Sequence, residues 1–346
     1  MNEIDNLIKN KINSEYGFLI TINNKKIYEK YTGDNNVNTR FRIFSCSKPI
    51  CSLAIMYLAQ KNKLKLSDTI DKYGINIKYN NLITITHLIY HASGIYDAEM
   101  NIYRKLKPKQ IFQSILDLEK KETKFVNFRT MIKIINDNEP VFKPKEDLSK
   151  AEYNNTGYDL LGYIIYKVTN MHPGVFIKKI IFDKLKMNDT GFQYEKNKNE
   201  SIPYDINHNI GIKTVQNWFS TNAFVVSSIR DLEKFLNSYD KILNKEYLDI
   251  YRRIPYFKNF IINNKNYTIF SHAGEGDISI DFANSINTNE KIPFHPLSRT
   301  YLMNICNNDT KINIILSETF RNTNGFFNKK KENWNTLMEI IDKNFL

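Results

Sequence analysis

The sequence predicts an α/β protein of the α+β type, in which one antiparallel sheet is built from both ends of the chain. Two observations predict this class. Strand-like segments occur near both ends, and segments with helical spacing of apolar residues fill the middle, roughly from residue 75 to 260. The sheet lobe would cover approximately residues 1–70 and 265–346 of a single domain. The cleft between this lobe and the helical lobe is the expected ligand site.

The chain is predicted to open with a helix and a β-hairpin. Apolar residues at helical spacing predict a helix over residues 4–14. The pair Asn23-Asn24 then separates two predicted strands, Gly17–Ile22 and Lys26–Tyr31. Asparagine tolerates the positive φ that a tight hairpin turn requires, which favours this assignment.

Helical patterns dominate from Ser45 until strand patterns return. A second helix begins close to Ser45, because Pro49 lacks an N–H and fits only the first turn of a helix. Further helices are predicted over Gln110–Leu118, Tyr158–Val168, Val175–Lys184 and Ile229–Leu236. Strands are predicted over Tyr267–His272, Ser279–Ala283 and Lys311–Leu316, and a last helix carries Trp334, Leu337, Ile340 and Ile341 on one face.

The composition is that of a globular protein. Hydrophobic residues make up 42% of the 346 residues and charged residues 25%, which excludes disorder, collagen and coiled coil. No stretch approaches the ~20 apolar residues that cross a bilayer, and the N-terminal residues lack the apolar core of a secretory signal. Three cysteines do not make a disulfide framework and fit a reducing compartment. We therefore expect a cytoplasmic protein with no membrane contact.

The charge balance is strongly basic, with a net charge of +12 from 49 Lys and Arg against 37 Asp and Glu. One interpretation is a nucleic-acid binder. The other is compositional bias, since Asn, Ile and Lys are used heavily everywhere and the lysines are scattered. The scatter favours bias, so no nucleic acid partner is expected, although a basic surface attracts anionic ligands at long range.

The first candidate site is Ser45-Cys46-Ser47-Lys48, an S-x-x-K element. On a helix, positions i and i+3 face the same side, so Lys48 would lie beside the Ser45 hydroxyl. A serine hydroxyl becomes a nucleophile when a nearby base takes its proton. The alternative is an N-cap serine followed by a solvated lysine, and S-x-x-K alone occurs by chance in many proteins.

The segments around the S-x-x-K element favour the catalytic interpretation over the N-cap serine. Residues 41–50 contain the S-x-x-K element, and residues 64–70 and 83–95 follow it with the strings LKLSDTI and ITITHLIYHASGI. This order and separation resembles the serine β-lactamase and penicillin-binding-protein family, in its class C β-lactamase and D-alanyl-D-alanine carboxypeptidase branch. The resemblance covers roughly residues 15–320 and implies the serine β-lactamase-like fold.

The resemblance also implies roles for a second element, Tyr153 and Asn155, which match the family's Y-x-N motif before a helix. Tyr153 would share a proton with Lys48, and Asn155 would hydrogen-bond the substrate amide. The alternative for Tyr153 is a loop tyrosine packed against the following helix.

The third element is His272-Ala273-Gly274, which matches the family's K-T-G or H-x-G motif on a strand that lines the cleft. His272 would present a hydrogen-bond donor to a substrate carboxylate or carbonyl, and Gly274 would permit close approach of a substrate backbone to the strand. The resemblance implies an oxyanion hole formed by the backbone N–H groups of Ser45 and Glu275. A lone histidine on a strand is otherwise usually structural.

Three departures from the family pattern bear on substrate fit. Ala223-Phe224 replaces a Gly-Gly pair, Lys145 replaces the glycine of a turn, and Glu275-Gly276-Asp277 replaces a glycine-rich segment. Glycines set the clearance of the backbone, and the acidic residues oppose an anionic substrate.

The resemblance implies a serine hydrolase that forms an acyl-enzyme on an amide or ester and needs no metal or organic cofactor. The partner would be a small-molecule or peptide substrate: a D-amino-acid peptide, an ester or a β-lactam. His272 in place of the motif's lysine disfavours β-lactam hydrolysis, because β-lactamases use a fixed positive charge there. The alternative is a catalytically impaired relative that binds an acyl or peptide ligand.

Two other features are weaker candidates. His87 and His91 are four residues apart and suggest a metal site, but no third ligand is evident and the resemblance makes both structural. Cys46 lies next to the predicted nucleophile, which makes it a candidate for oxidation. Cys46 and Cys51 lie on different faces of one helix, so a disulfide between them is not expected.

Overall fold

The computed structural model describes residues 2–11, 15–98, 128–193, 199–201, 221–262, 265–276, 298–319 and 330–345. Its helices are α1 (Asn2–Lys11), α2 (Ser47–Gln60), α3 (Ile85–Ile89), α4 (Phe128–Asn136), α5 (Thr156–Thr169), α6 (Pro173–Ile177), α7 (Ile229–Ser238), α8 (Lys245–Tyr251) and α9 (Lys330–Phe345). Its strands are β1 (Glu15–Ile22), β2 (Lys25–Tyr31), β3 (Arg40–Arg42), β4 (Thr190–Phe192), β5 (Val225–Ser228), β6 (Phe257–Ile262), β7 (Lys265–Gly276), β8 (Ser298–Cys306) and β9 (Lys311–Thr319).

A six-stranded sheet joins the two ends of the chain. Its strand order is β2-β1-β9-β8-β7-β6, and all neighbouring strands are antiparallel. The N-terminal hairpin of β1 and β2 therefore lies in one sheet with four strands from beyond residue 256, which confirms the predicted architecture. The division into a sheet lobe and a helical lobe stays a prediction.

The hairpin between β1 and β2 forms for the predicted reason. Ile22 pairs with Lys25, so the loop has two residues, Asn23 and Asn24. Their φ angles are +51° and +64°, which is the left-handed conformation that asparagine tolerates. Asn23 also accepts a hydrogen bond from the backbone N–H of Lys311 through its side-chain oxygen at 2.8 Å, which fastens the hairpin to β9.

Helices cover both faces of the sheet. α1 and α9 pack together, and Ile4, Ile8, Leu337 and Ile341 join one face of the sheet in a buried cluster. α7 packs against β1, β8 and β9. A second, larger cluster runs through α2, α3, α5 and α6 and includes sheet residues such as Phe270. Among the helices of these described ranges, none has the length and apolar character to cross a membrane.

Some elements differ in extent from the prediction, and others were not predicted. The helix predicted over Val175–Lys184 is α6 followed by a wider π-helical turn, Lys178–Phe182. Neither β8 nor a small second sheet of order β3-β5-β4 was predicted from the sequence. The helix predicted over Gln110–Leu118 and the strand predicted over Ser279–Ala283 lie outside the described residues.

Candidate active site

Ser45 lies in a strained turn at the entrance to α2. The helix was predicted to begin near Ser45. In the structure, a 3₁₀ turn, Phe44–Cys46, precedes the first residue of α2, Ser47. Phe44 has a φ of +43°, which is unusual for a bulky side chain and costs on the order of 1–3 kcal/mol. Its ring is buried and packs where a Cβ on Gly276 would lie. This packing of β7 against the turn holds the strained conformation that presents Ser45.

Lys48 is a fully buried cation whose three donors are all used. Its side chain is 0% exposed. Nζ donates to Ser45 Oγ at 3.0 Å, to Asn155 Oδ1 at 2.8 Å and to the backbone oxygen of Asn222 at 3.2 Å. An ammonium group has three donors, so this set is complete. The interpretation as a solvated lysine is therefore wrong.

The rings of two tyrosines complete the surroundings of this cation. Nζ lies 4.8 Å from the ring centroid of Tyr153 and 5.7 Å from that of Tyr158. Within the described ranges, no carboxylate forms a salt bridge with Lys48. Neutral oxygens and aromatic faces therefore stabilise its charge, and no acidic group fixes its proton in place.

Tyr153 reaches Ser45 from an irregular segment before α5. Its hydroxyl donates to Ser45 Oγ at 2.7 Å, and its side chain is 53% exposed. Ser45 Oγ thus receives hydrogen bonds from two groups that can each exchange a proton. This geometry does not fit a loop tyrosine that only packs against a helix.

Asn155 occupies the N-cap position of α5 without capping it. Its side chain makes no capping bond. Instead, its Oδ1 accepts from Lys48 Nζ at 2.8 Å. Its contact in this structure is with Lys48, and the contact with a substrate amide stays a prediction.

Strand β7 closes the site beside the nucleophile. A Cβ on Gly274 would lie 2.1 Å from the oxygen of Ile43 and 2.8 Å from the nitrogen of Ser45. Only glycine permits this approach. The backbone that comes close is the protein's own nucleophile turn, and the approach of a substrate backbone to Gly274 stays a prediction. Glu275 follows on the same strand, and its carboxylate forms an ion pair with Arg299, with 3.2 Å between Oε1 and Nε. The oxyanion hole formed by the N–H groups of Ser45 and Glu275 stays a prediction.

The tautomer of His272 differs from the expectation that this ring donates to a substrate. Nδ1 lies 2.7 Å from the carbonyl oxygen of Ala273. A carbonyl oxygen only accepts, so Nδ1 carries the proton and Nε2 of the neutral ring is an acceptor. Burial, and then the charge of Lys48, lower the pKa of His272 to about 3. The ring is therefore neutral near pH 7.

The structure also corrects the expectation for Cys46. Its side chain is fully buried, and Sγ donates weakly to the backbone oxygens of His272 and Thr300, at 3.5 Å each. Burial raises the pKa of this thiol far above its ordinary value. Its sulfur therefore fastens the nucleophile turn to β7 and β8, and it is not in a position to be oxidised.

The two histidines with spacing suggestive of a metal site have separate structural partners. His87 closes a capping box at the start of α3 with Thr84, and its Nε2 lies 3.0 Å from the oxygen of Lys145. His91 Nδ1 lies 3.1 Å from the nitrogen of Asn154. In the part of the chain that the structure describes, no group of three His, Cys, Asp or Glu residues could hold a metal ion.

Three residues that support the site were not predicted to do so from the sequence: Asn222, His91 and Asp97. The carbonyl of Asn222 is a ligand of the Lys48 ammonium. Its only signal was that it precedes Ala223-Phe224, the pair that departs from the family's glycines. Phe224 is buried and stacks on Phe192 at 5.0 Å, so the aromatic ring fills the space at this position.

Comparisons with known proteins agree with this fold. The Beta-lactamase family model matches residues 4–274, and the chain belongs to this family. The Protein flp of Staphylococcus aureus (strain MW2) is 25% identical over an alignment of 324 positions that covers 84% of this chain and 60% of that relative. The chain thus spans about three fifths of the length of this relative.

Solved structures show the same fold. The D-amino acid amidase from Ochrobactrum anthropi SV3, in complex with D-phenylalanine, superposes with a TM-score of 0.68 and 16% identity over 99% of this chain and 98% of that chain. The penicillin binding protein from Bacillus halodurans gives 0.67 and 14% identity, also over 99% and 98%. The resemblance inferred from the sequence motifs is confirmed at the level of family and fold.

Proposed function

We propose that this protein is a serine hydrolase that cleaves amides through an acyl-enzyme on Ser45. The observation that carries this proposal is the convergence of Lys48 Nζ and Tyr153 OH on Ser45 Oγ, at 3.0 Å and 2.7 Å. A hydroxyl flanked by two proton-exchanging groups is the arrangement that nucleophilic catalysis requires.

The proton path follows from the donors. In the structure both partners donate to Ser45 Oγ, so one of them must first lose a proton to solvent before it can take that of Ser45. Ser45 Oγ then attacks the substrate carbonyl, and the Lys48–Tyr153 pair receives its proton. The N–H groups of Ser45 and Glu275 would stabilise the oxyanion. As the C–N bond breaks, Tyr153, which is the exposed member of the pair, returns the proton to the leaving amine.

Deacylation runs the same path with water. Water attacks the ester formed on Ser45, and the Lys48–Tyr153 pair takes a proton from it. The proton then returns to Ser45 Oγ as the acid is released. Each group ends in the state in which it began, so the cycle needs no cofactor.

We further propose that the acyl donor carries a free amino group, as in a D-amino-acid amide or a short peptide. One observation supports this charge preference: His272 is neutral and offers an acceptor at Nε2. Side chains alternate along a strand, so Glu275 points to the opposite face of β7, where it pairs with Arg299. The ring of His272 therefore supplies no positive charge for a substrate carboxylate, whereas an ammonium would meet an acceptor. The fold shared with a D-amino acid amidase supports the same class.

Covalent labelling tests the nucleophile. A fluorophosphonate probe or a penicillin should add one group at Ser45, seen as a mass increase of the intact protein. S45A should abolish the adduct. S47A is the matched control and should keep it, because the Ser47 hydroxyl accepts from the N–H of Val225 at 3.2 Å and belongs to the packing. An adduct that persists in S45A would overturn the proposal, and no adduct in any protein would favour a ligand-binding relative.

Turnover of matched substrates tests the charge preference. D-Phenylalanine p-nitroanilide should be cleaved faster than its N-acetyl derivative, and an acyl-D-alanyl-D-alanine with a free carboxylate should be the poorest substrate. H272K replaces the neutral acceptor with a cation and should shift the preference towards the carboxylate substrate. The reverse ranking in the wild-type protein would refute the free-amine assignment without affecting the role of Ser45.

A further inference from the structure

Tyr153 and Asn155 lie on a segment that has no strand partner. Residues 150–155 form neither helix nor strand, and Tyr153 is half exposed. A catalytic hydroxyl must nevertheless be held within a fraction of an ångström, because a misplacement of about 1 Å costs on the order of 10²-fold in rate. The neighbouring segment, His91–Asp97, supplies the missing restraints.

His91 holds the residues on both sides of Tyr153. Its backbone oxygen accepts from the N–H of Glu152 at 2.9 Å. Its Nδ1 lies 3.1 Å from the nitrogen and 3.2 Å from the oxygen of Asn154, so either neutral tautomer is bonded to that residue. Its ring lies against that of Tyr153, with centroids 4.6 Å apart and planes at 31°. These three contacts fix the chain before, after and at Tyr153.

The surroundings of His91 fix both its conformation and its neutral charge. The residue is 8% exposed and adopts a left-handed conformation, with φ at +57°. Burial, and then the positive charge of Lys48, lower the pKa of His91 to about 3. A neutral ring in a fixed position can support Tyr153 without adding a second positive charge beside Lys48.

Asp97 restrains Asn155 by hydrogen bonds, as His91 restrains the chain around Tyr153. Its Oδ2 accepts from the N–H of Asn155 at 3.1 Å, and its Oδ1 accepts from the Thr156 hydroxyl at 2.9 Å. The first N–H groups of a helix need acceptors, which the N-cap side chain usually supplies. At the start of α5 this acceptor is Asn154 Oδ1, which binds the N–H of Gly157 at 2.8 Å, so the Asn155 side chain is free to bind Lys48. Asp97 instead holds the backbone of Asn155, and its negative charge suits the helix N-terminus.

We infer that His91 and Asp97 are positioning residues of the active site: His91 orients Tyr153, and Asp97 orients Asn155 by holding its backbone N–H. This inference rests on the proposed function. A position that acts only through another residue loses its effect when that residue is removed, and this coupling distinguishes positioning from general stability.

The test of His91 measures kcat/KM on the amide substrate in two backgrounds. H91A should lower kcat/KM by about 10- to 100-fold in the wild-type background, mainly through kcat, and by less than 2-fold in Y153F. H91N should recover much of the rate, because asparagine tolerates positive φ and can still bond Asn154. H87A is the matched control: His87 lies on α3 and bonds Thr84 and Lys145, so any loss should be equal in both backgrounds.

The test of Asp97 follows the same design. D97A should lower kcat/KM in the wild-type background and by less than 2-fold in N155A, and D97N, which keeps an acceptor oxygen, should fall between D97A and the wild type. Thermal unfolding identifies variants that are folded at the assay temperature. Equal losses in both backgrounds, for His91 or Asp97, would overturn the inference for that residue. Activity that survives S45A would instead overturn the proposed function.

Discussion

At the residue scale, Lys48 and Tyr153 share one acceptor, Ser45 Oγ, and no acidic side chain of the described residues pairs with Lys48. A proton that leaves Ser45 can therefore reside on either group. The two residues are therefore expected to act as one unit in the transfer of this proton.

This sharing predicts a non-additive double mutant. K48A and Y153F should each lower kcat by about 10²–10⁴-fold, the range for lost general acid–base catalysis. The double variant should lose little more than the worse single variant, because residues that act as one unit fail together. K72A, at an exposed lysine, should leave kcat unchanged. Fully multiplicative losses in a turnover assay would show that the two residues do not share a proton.

Burial of the cysteine beside Ser45 leads to a second prediction. Burial raises the pKa of Cys51 to about 12 and that of Cys46 further, whereas Cys306 is only partly buried. The C306S variant should therefore show no thiol that reacts with Ellman's reagent in the native state, and both remaining thiols should react after unfolding in guanidinium. Rapid native labelling of Cys46 would contradict the assigned packing of the nucleophile turn.

At the element scale, the close approach of β7 to the nucleophile turn makes Gly274 irreplaceable. G274A places a methyl group 2.1 Å from the Ile43 oxygen, which is backbone and cannot move aside alone. We expect a loss of about 1–3 kcal/mol in the free energy of unfolding and a loss of about 10²-fold or more in kcat/KM.

The matched glycine lies on α5. A Cβ on Gly157 meets its nearest neighbour, the Leu88 oxygen, at 3.6 Å, which is ordinary contact. G157A should therefore keep full activity and gain up to about 1 kcal/mol in stability from helix propensity. Urea unfolding and turnover of both variants give the comparison, and a G274A variant as active as G157A would refute the packing argument.

How far the sequence predicted these elements depends on their length and on the faces they bury. The Asn23-Asn24 turn and the long helices have local signals. β8 was missed because polar residues such as Thr300 and Asn304 are buried on it, so its pattern does not alternate. The strands of the small sheet have only three or four residues, too few to show a period. The role of His91 depends on contacts with a residue 63 positions away, which no local pattern reveals.

At the scale of the whole molecule, the buried histidine makes stability depend on pH. The pKa of His91 falls from 6.5 to about 3 on folding. Below pH 6.5 the unfolded chain therefore binds a proton that the folded protein excludes, and stability falls as the pH falls. This effect of His91 alone should lower the free energy of unfolding by about 2 kcal/mol between pH 6.5 and 5.

Urea unfolding at pH 7.5 and pH 5 measures this effect. The wild-type midpoint should fall more on acidification than that of H91N, because the variant lacks the titrating group. Carboxylates with lowered pKa values, such as Glu29, titrate below their ordinary 4.5, mainly outside this window. His272, whose pKa is also lowered to about 3, destabilises the protein over the same pH range, but equally in both proteins. Glu233, whose pKa burial raises, acts in the opposite direction but equally in both proteins. Identical pH dependence in the two proteins would show that His91 is not buried in its neutral form.

The pairing of β1 with β9 has a consequence for how the protein is made. The oxygen of Glu15 accepts from the hydroxyl of Thr319, 304 residues further along the chain. While the ribosome is still synthesising the intervening chain, β1 has only β2 beside it, and an isolated hairpin is marginally stable in water. The open edge of that hairpin is a surface on which nascent chains can associate. We therefore expect the sheet to form only after β9 has left the ribosome, so that a slow or interrupted translation of the last third of the gene should favour aggregation over a partly active product.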